Sequence, residues 1–341
     1  MTFLTPIGII ISGKKGSEVK YAQMAEECGF DSIWFGDMGL DSEVFVSSTY
    51  VASKTDRIKI GIMTNPYTRH PALIATALAT LSEYTGGRAL CALGRGGSLT
   101  LETLGYKTWD RPLTAVREAV EIIRRILKGE KVTYEGKIFK CYDAKLAFES
   151  EKVIPIYLLG MVGLKMMELS GKIADGTMLA GLAGIEYTEK QCISSILRGA
   201  RKAGRDTSSL RITMQCFFSV SRNEAEAIAG VRMFTSKYII ADPRFQAAVE
   251  SANIRGKELE QIKNAMVEGE AKLAEVVTDD MVKAFTIAGT PDSCVRHMQR
   301  YLDIGITDFC ILPPPTVDLT EIIQITSEEI MPKLKQRNYL R

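Results

Sequence analysis

The stretch IGIMTNPYTRHP, residues 60–71, begins as an apolar strand and leaves it through polar side chains and prolines. Thr64 and Asn65 come directly after the strand, and Arg69 and His70 follow within the same short loop. A hydroxyl, an amide and basic side chains at the end of a buried strand are groups that bind and orient a ligand. For His70, which precedes a proline, the pattern favours a structural role at a helix start.

A carboxylate ends the preceding strand. Asp37 closes the segment DSIWFGD, residues 31–37. In a barrel of parallel strands, a polar group at a strand end points toward the ligand, which makes Asp37 a candidate catalytic residue. The alternative interpretation is an aspartate that caps a helix or ties a loop.

Two glycine-rich loops follow later strands. In LLGMVGLK, residues 158–165, Gly160 and Gly163 stand between a strand and a helix start, where backbone N–H groups can bind an anion. The alternative is a tight turn, and Lys165 either reinforces a phosphate contact or is solvated. The loop GRGGS, residues 94–98, either lies against a flat ligand or a second anion, or is simply flexible.

Composition limits the classes of protein and partner. Hydrophobic residues make up 46% of the 341 residues and charged residues 25%, as in an ordinary globular protein. The net charge of +2, with no long run of either sign, predicts no nucleic-acid partner. No apolar run approaches the roughly 20 residues that cross a bilayer, and the start lacks the features of a signal peptide. We therefore expect a cytoplasmic protein that does not bind a membrane.

The metal-binding residue types are sparse. The chain has 7 cysteines, none in a Cys-x-x-Cys pair, and 2 histidines. Most of the cysteines lie in apolar segments, which predicts buried, reduced thiols that pack as small hydrophobic groups. No metal site is predicted.

The elements that must position these residues alternate between short apolar runs and longer helical patterns. Eight strands are predicted, beginning near residues 6, 32, 58, 89, 155, 177, 211 and 308. Continuous apolar strands indicate a parallel sheet that is buried on both faces. An open doubly wound sheet shares this alternation, but eight units without a phosphate-loop fingerprint favour an α/β fold of the (β/α)8 TIM-barrel type. We expect one domain over residues 1–341, with insertions after strand 4 and near residues 241–280.

Several segments together resemble the luciferase-like flavin and deazaflavin oxidoreductases, over nearly the whole chain. They are IKIGIMTNPYTRHPALIATALATLSEYTGGRALCALGRG, GDM after strand 2, LLGMVGLKMMELSGKIADG and AGTPDSCVRHMQRYLDIGITDF. Within that family, the TNPY element and the layout are most similar to the methylenetetrahydromethanopterin reductase branch, which uses the deazaflavin coenzyme F-420. The resemblance implies hydride transfer between C5 of the coenzyme and a substrate carbon.

The resemblance also implies a set of coenzyme-binding residues. It implies a non-prolyl cis peptide bond at Ile62–Met63, or at the adjacent Gly61–Ile62, that forms a bulge behind the ring. Thr64 and Asn65 would then contact the ring or fix the bulge. The other residues implied are Gly94, which leaves room for the ring, Gly160, Met161, Val162 and Gly163, which bind the phosphate through the backbone, and Leu179 and Ala180, which line the tail.

The chain departs from its relatives at residues that would define the substrate. The branch has a glutamate late in strand 1 and an aspartate in the fourth loop, where this chain has Ile10 and Gly97. Related dehydrogenases carry Asp-His after strand 2, where this chain has Asp37 and Met38. Glu102 and Asp110, in the fourth loop, are alternative acids or solvated loop residues.

Three functions follow from these observations. The leading one is an F-420-dependent oxidoreductase, either a methylenetetrahydromethanopterin reductase or a paralogue with another substrate. The alternatives are an FMN-dependent monooxygenase and a non-catalytic protein that binds flavin or deazaflavin. A small-molecule substrate such as a tetrahydropterin, and a homodimer or higher homo-oligomer, are implied by the resemblance alone.

Overall fold

Parallel strands close into a ring, and helices connect them on the outside. The structure is a computed structural model that describes residues 5–11, 16–38, 40, 42–106, 111–150, 153–161, 163–181, 184–241, 246–251, 254–314 and 317–334. The strands are β1 (Ile7–Ile10), β2 (Ser32–Gly36), β3 (Lys59–Thr64), β4 (Ala89–Leu93), β5 (Val132–Glu135), β6 (Lys140–Ala144), β7 (Ile156–Met161), β8 (Gly176–Ala180), β9 (Arg211–Val220), β10 (Thr286–Gly289) and β11 (Asp308–Leu312).

The helices pack around this ring and above it. They are α1 (Glu18–Glu27), α2 (Val44–Ala52), α3 (Pro71–Tyr84), α4 (Ser98–Thr103), α5 (Pro112–Leu127), α6 (Leu164–Ile173), α7 (Ile185–Tyr187), α8 (Ser194–Lys202), α9 (Glu224–Ala241), α10 (Gln246–Ser251), α11 (Gly256–Glu268), α12 (Glu270–Val276), α13 (Asp279–Phe285), α14 (Pro291–Asp303) and α15 (Leu319–Ile325). Short π-helical turns cover Thr188–Ile193 and Thr326–Ile330, and 3-10 turns cover Thr207–Ser209 and Met331–Lys333.

The ring closes through parallel pairs in the order β1, β2, β3, β4, β7, β8, β9 and β11, and β11 pairs back with β1. The predicted (β/α)8 barrel is therefore confirmed, with each barrel strand close to its predicted start. The excursion after β4 contains α4, α5 and the β5–β6 hairpin, and helices α10 to α12 lie in the predicted insertion near residues 241–280.

Side chains alternate between the inside of the barrel and the helices around it. Ile9 and Ile33 are fully buried in the core between strands and helices, whereas Ile10 and Trp34, the next residues along, belong to a separate cluster inside the barrel. This alternation follows from the period of two in a strand. Because both faces are covered, every strand of the ring needs apolar residues throughout.

Two aromatic rings fill the middle of the barrel. The rings of Trp34 and Tyr157 meet edge to face, with centroids 6.0 Å apart. Glycines make room for both, since a Cβ on Gly61 would lie 2.2 Å from the Trp34 ring and a Cβ on Gly176 would lie 2.5 Å from the Tyr157 ring. These two rings therefore separate the two ends of the barrel.

One strand that extends the barrel sheet was not predicted. Strand β10 lies outside the ring and pairs in parallel with residues Phe217 to Val220 of β9. Strand β9 is ten residues long, and only its first seven residues pair with β8 and β11. The backbone groups of its last residues therefore remain available to pair with β10. The four residues of β10 are too few to give a recognisable period in the sequence.

The expected cis peptide bond is a second difference. Neither Gly61–Ile62 nor Ile62–Met63 is cis, because no cis bond occurs among the described residues. That expectation is wrong. The ladder is continuous here, since Ile62 pairs with Phe35 and Cys91, and Met63 pairs with Gly36 and Ala92. An uninterrupted register on both sides leaves no bulge at this point.

Candidate functional site

Strands β2 and β3 bring a carboxylate and a hydroxyl together at the carboxyl end of the barrel. The Thr64 hydroxyl donates to Oδ2 of Asp37 at 2.9 Å, and the Thr68 hydroxyl lies 3.4 Å from the same oxygen. The Asp37 N–H donates to the Met63 carbonyl at 2.8 Å, which continues the pairing of the two strands. Oδ1 of Asp37 makes no hydrogen bond with any described residue, so this oxygen keeps its capacity to accept one.

Asn65 shapes the loop that follows β3. Its Oδ1 accepts hydrogen bonds from the backbone N–H groups of Tyr67 and Thr68, both at 3.0 Å, which forms an Asx turn. Gly96, with φ of +79°, approaches so closely that a Cβ there would lie 3.1 Å from Cγ of Asn65. The Asn65 side chain is 2% exposed. The side-chain oxygen of Asn65 therefore stabilises the loop, and only the side-chain NH2 group remains for a ligand.

Strand β4 ends in the predicted Gly94, which is buried. Its N–H donates to the Thr64 carbonyl at 2.9 Å, and a Cβ there would lie 3.0 Å from Cβ of Leu159. The space in front of Gly94 is thus taken by Leu159, a residue of β7 whose side chain faces the inside of the barrel. Any room that Gly94 leaves for a ring is shared with this leucine.

The amino end of helix α6 presents unpaired backbone donors. Gly163 is its N-cap, without a side-chain cap and without an acidic residue in the first turn. The Gly163 carbonyl accepts from Met166 and Met167, whereas the N–H groups of Leu164 and Lys165 precede the first intrahelical bonds. A Cβ on Gly163 would meet nothing closer than the Gly160 carbonyl oxygen at 3.6 Å. Free N–H groups, the helix dipole and the Lys165 ammonium are a donor set that suits a phosphate.

The remaining predicted residues lie at different depths. Met63 and Ala180 are buried. Their neighbours Ile62 and Leu179 point into the core under the helices, so Met63 and Ala180 face the inside of the barrel. Ile62 and Leu179 can therefore touch a ligand only through the backbone. Met161 is the last residue of β7, and Val162 lies outside the described residues.

The positions of the missing family carboxylates are also visible. Ile10 is buried inside the barrel, and Gly97 is exposed in the fourth loop.

His70 has the structural role expected, because its Nδ1 accepts from the Ala72 N–H while Nε2 lies 3.1 Å from the Lys140 carbonyl. This geometry corresponds to a neutral ring with the proton on Nε2. Glu102 is exposed, and Asp110 lies outside the described residues.

A cavity of about 270 Å3 opens at the opposite end of the barrel, between the amino ends of the strands. Four of its five charged groups are paired with one another. The Lys59 ammonium lies 2.7 Å from Asp31, and Arg211 lies 3.5 Å from Asp308, which also accepts from the Thr213 hydroxyl at 2.5 Å. The Trp34 and Tyr157 rings line this cavity and lie between it and the candidate site. We interpret this end as the one that stabilises the barrel, as is usual for the fold.

Two polar residues near the barrel mouth, Thr68 and Gln215, were not predicted from the sequence. Thr68 reaches Asp37 only because the Asx turn at Asn65 folds the loop back, and the spacing of Asn65 and Thr68 was the available signal. Gln215 lies inside an apolar strand, where a single polar residue carries no pattern of its own. Both become visible only once the strands are placed side by side.

The chain belongs to the family described as Luciferase-like monooxygenase, whose match extends over residues 9–308. The closed parallel barrel agrees with that class, and the resemblance read from the sequence is confirmed. Among its relatives, the 5,10-methylenetetrahydromethanopterin reductase of Methanolobus tindarius is 34% identical over 91% of this chain and 94% of its own length. The enzyme of the same name from Archaeoglobus fulgidus is also 34% identical, over 92% of this chain and 95% of its own length.

A solved structure extends the comparison to three dimensions. The coenzyme F420 dependent tetrahydromethanopterin reductase from Methanopyrus kandleri superposes with a TM-score of 0.87 at 28% identity, covering 98% of this chain and all of that one. No helix among the described residues has the length and apolar character needed to cross a membrane. Within the same residues, no three His, Cys, Asp or Glu side chains are grouped to hold a metal ion.

Proposed function

We propose that this protein is a coenzyme F-420-dependent oxidoreductase that transfers hydride between C5 of the deazaflavin and a substrate carbon. A methylenetetrahydromethanopterin reductase, or a paralogue with another substrate, is the form of this activity that we favour. The observation that carries the proposal is the likeness to reductases of that name along nine-tenths of the chain, at 34% identity. The geometry of the barrel mouth supports it independently.

The residues at the mouth fit such a coenzyme. The uncapped amino end of α6, with Gly160 and Gly163 before it, suits the phosphate. Met63 and Leu159, which face the inside of the barrel, offer an apolar wall for a flat ring. Ala180 extends that wall to the next strand. When bound, the coenzyme supplies or accepts the hydride, and the protein orients the two reactants and excludes water.

Asp37 is the residue we propose for catalysis. One carboxylate oxygen accepts from Thr64 and Thr68, which fixes the side chain, and the other is free of described partners. A carboxylate held this way stabilises positive charge on the substrate or passes a proton to it. Ile10 and Gly97, at the positions of the family carboxylates, carry no ionisable group.

The coenzyme is tested by titrating the purified protein with reduced and oxidised F-420 and, in parallel, with FMN. Changes in absorbance and fluorescence give the two dissociation constants. Micromolar or tighter binding of F-420, with much weaker binding of FMN, is the expected result. A preference for FMN would refute the proposal and favour the monooxygenase alternative. Binding of F-420 without turnover on any acceptor would favour the non-catalytic one.

We also propose that the protein forms a homo-oligomer through the outer faces of α2 and α3. Val46 and Tyr50 on α2, and Leu73 and Tyr84 on α3, are each more than half exposed. Glu83 is the only charged residue within these two helices. Uncharged surfaces of this kind are usually covered by another protein.

Two further expectations remain proposals. We place the protein in the cytoplasm, where its seven free cysteines would stay reduced. We also keep residues 1–341 as one domain, since a single apolar core runs between the barrel and the helices along most of the chain.

A further inference from the structure

The mouth of the barrel divides into two arcs. The residues proposed above for the coenzyme lie on β3, β4, β7 and β8, which are consecutive in the ring. The other arc consists of β9, β11, β1 and β2, which are consecutive through the closing pair of β11 with β1. If the coenzyme occupies the first arc, the hydride acceptor must contact the second. The inference below rests on the proposed function in this respect.

Gln215 lies on the second arc, on strand β9. Its sequence neighbours Met214 and Cys216 are buried in the core under the helices, so the alternation of the strand directs Gln215 to the inside of the barrel. Gln215 pairs with Ala180, the last residue of β8, and its carbonyl accepts from the Gly181 N–H at 2.5 Å. The residue is thus level with the carboxyl end of β8, where a ligand enters.

The surroundings of this amide are apolar. On β11, Cys310 pairs with Gln215 in register, and Cys310 and Leu312 belong to or pack against the apolar cluster inside the barrel, as does Ile10 on β1. The Gln215 side chain is half-buried, and its amide makes no hydrogen bond with any residue that the structure describes. Because the amide is only half-buried, water can satisfy it in the free protein, and a ligand that displaces this water must supply matching hydrogen bonds.

We propose that Gln215 binds the hydride acceptor and selects its chemical class. A carboxamide donates through its NH2 group and accepts through its oxygen, side by side in one plane. It therefore pairs best with a planar heterocycle whose edge carries adjacent C=O and N–H groups, as in a lactam. Ile10 and Leu312 form the apolar stretch between Gln215 at one end of the arc and Asp37 at the other. Such an arrangement suits a flat ring system whose lactam edge meets Gln215.

The test compares Gln215→Leu and Gln215→Glu with the wild type. Leucine removes both hydrogen bonds at similar volume, and glutamate keeps the shape but replaces the donor with a second acceptor. The probes are reduced F-420 and 5,10-methylenetetrahydromethanopterin, which carries a lactam edge. We expect KM for the pterin to rise about ten- to a hundredfold in both variants, with smaller changes in kcat. The dissociation constant of F-420 should stay near the wild-type value.

Matched controls are Gln191→Leu and Gln191→Glu, because Gln191 is exposed on the outside of the barrel. They should leave both constants unchanged. Loss of F-420 binding in the Gln215 variants, or an unchanged KM for the pterin, would overturn the inference.

The outcome for Gln215 is separable from that for the proposed function. If the wild type binds no F-420, the proposed function fails, and Gln215 is then tested by calorimetric titration of the wild type and the variants with tetrahydromethanopterin alone. Weaker binding in the variants supports the role of Gln215. Equal binding, or no binding of the pterin by the wild type, refutes it.

Discussion

Asp37 illustrates how much a single residue depends on its neighbours. From the sequence, it was either a ligand-facing carboxylate or one that ties a loop. The structure gives it both features, since Oδ2 holds the loop after β3 through Thr64 and Thr68 while Oδ1 has no described partner. Glu43, and not Asp37, caps helix α2, because its carboxylate accepts from the Val46 N–H at 2.7 Å.

The substitution Asp37→Asn should reduce kcat at least about a hundredfold. The neutral amide can neither stabilise positive charge on the substrate nor pass a proton to it, as the carboxylate does. Asparagine can still accept from Thr64, so the affinity for F-420 should be retained. Steady-state kinetics together with a fluorescence titration separates the two effects. Glu102→Gln is the matched control, and equal losses in both variants would contradict a special role for Asp37.

At the scale of elements, helix α6 provides a test in which stability and binding move apart. Gly163→Asp puts a favourable N-cap on the helix, and its backbone, with φ of −80°, accepts a side chain without strain. The melting temperature should therefore stay the same or rise slightly. The added carboxylate occupies the N–H groups proposed for the phosphate and repels it, so F-420 should bind about tenfold more weakly or worse.

The neutral variant Gly163→Ala is the control for this substitution. It adds a Cβ in ordinary van der Waals contact with the Gly160 carbonyl oxygen, at 3.6 Å, and should leave the affinity for F-420 close to that of the wild type. Equal affinity of the Asp and Ala variants for F-420, measured by the same titration, would show that the phosphate does not bind at the start of α6.

A buried carboxylate anchors the β5–β6 hairpin to helix α5. Glu118 is 1% exposed, and it accepts from the backbone N–H groups of Lys137, Ile138 and Phe139 at 2.8 to 3.1 Å. Burial alone would raise the pKa of Glu118, but the three N–H donors outweigh it and lower the pKa below its ordinary value of 4.5.

Glu118→Gln should lower the free energy of unfolding by about 1 to 3 kcal/mol, because the amide turns NH2 toward backbone donors. A carboxylate with a lowered pKa contributes stability that is complete above its unfolded pKa and is lost as pH falls through the folded one. The difference between the two proteins, measured by urea unfolding, should therefore shrink below about pH 4.5. Glu121→Gln, half-exposed on the same helix, should change stability less. A constant difference at all pH values would argue against this anchor.

At the scale of the whole molecule, the uncharged face of α2 and α3 predicts the assembly. The double variant Val46→Lys and Tyr50→Lys places two like charges in the proposed interface, which should shift the protein to a smaller species. Light scattering after size-exclusion chromatography gives the mass of each form. Val267→Lys, on the exposed face of α11, is the control and should keep the wild-type mass. An unchanged mass in the double variant would exclude this face as the interface.

Much of the architecture was predictable because the local signals agree with the fold. Ile9, Ile33 and Ile60 sit in strands without a polar face, which already implies burial on both sides. The helix that starts at Pro71 was predictable from the proline and from the apolar spacing that follows it. Strand β10 was not, because its four residues form a strand only beside the long β9. The site residues named from the family resemblance stay predictions.

The sequence by itself determined the number and order of the barrel strands and the family, because apolar period and loop length are local properties that survive in one dimension. Only the tertiary structure decided which side chains meet. The carboxylate of Asp37 and the hydroxyl of Thr68 are 31 positions apart, and Gln215 faces a mouth built by strands from both ends of the chain. Such contacts depend on register and barrel closure, which arise from the pairing of strands and leave no pattern in any single segment.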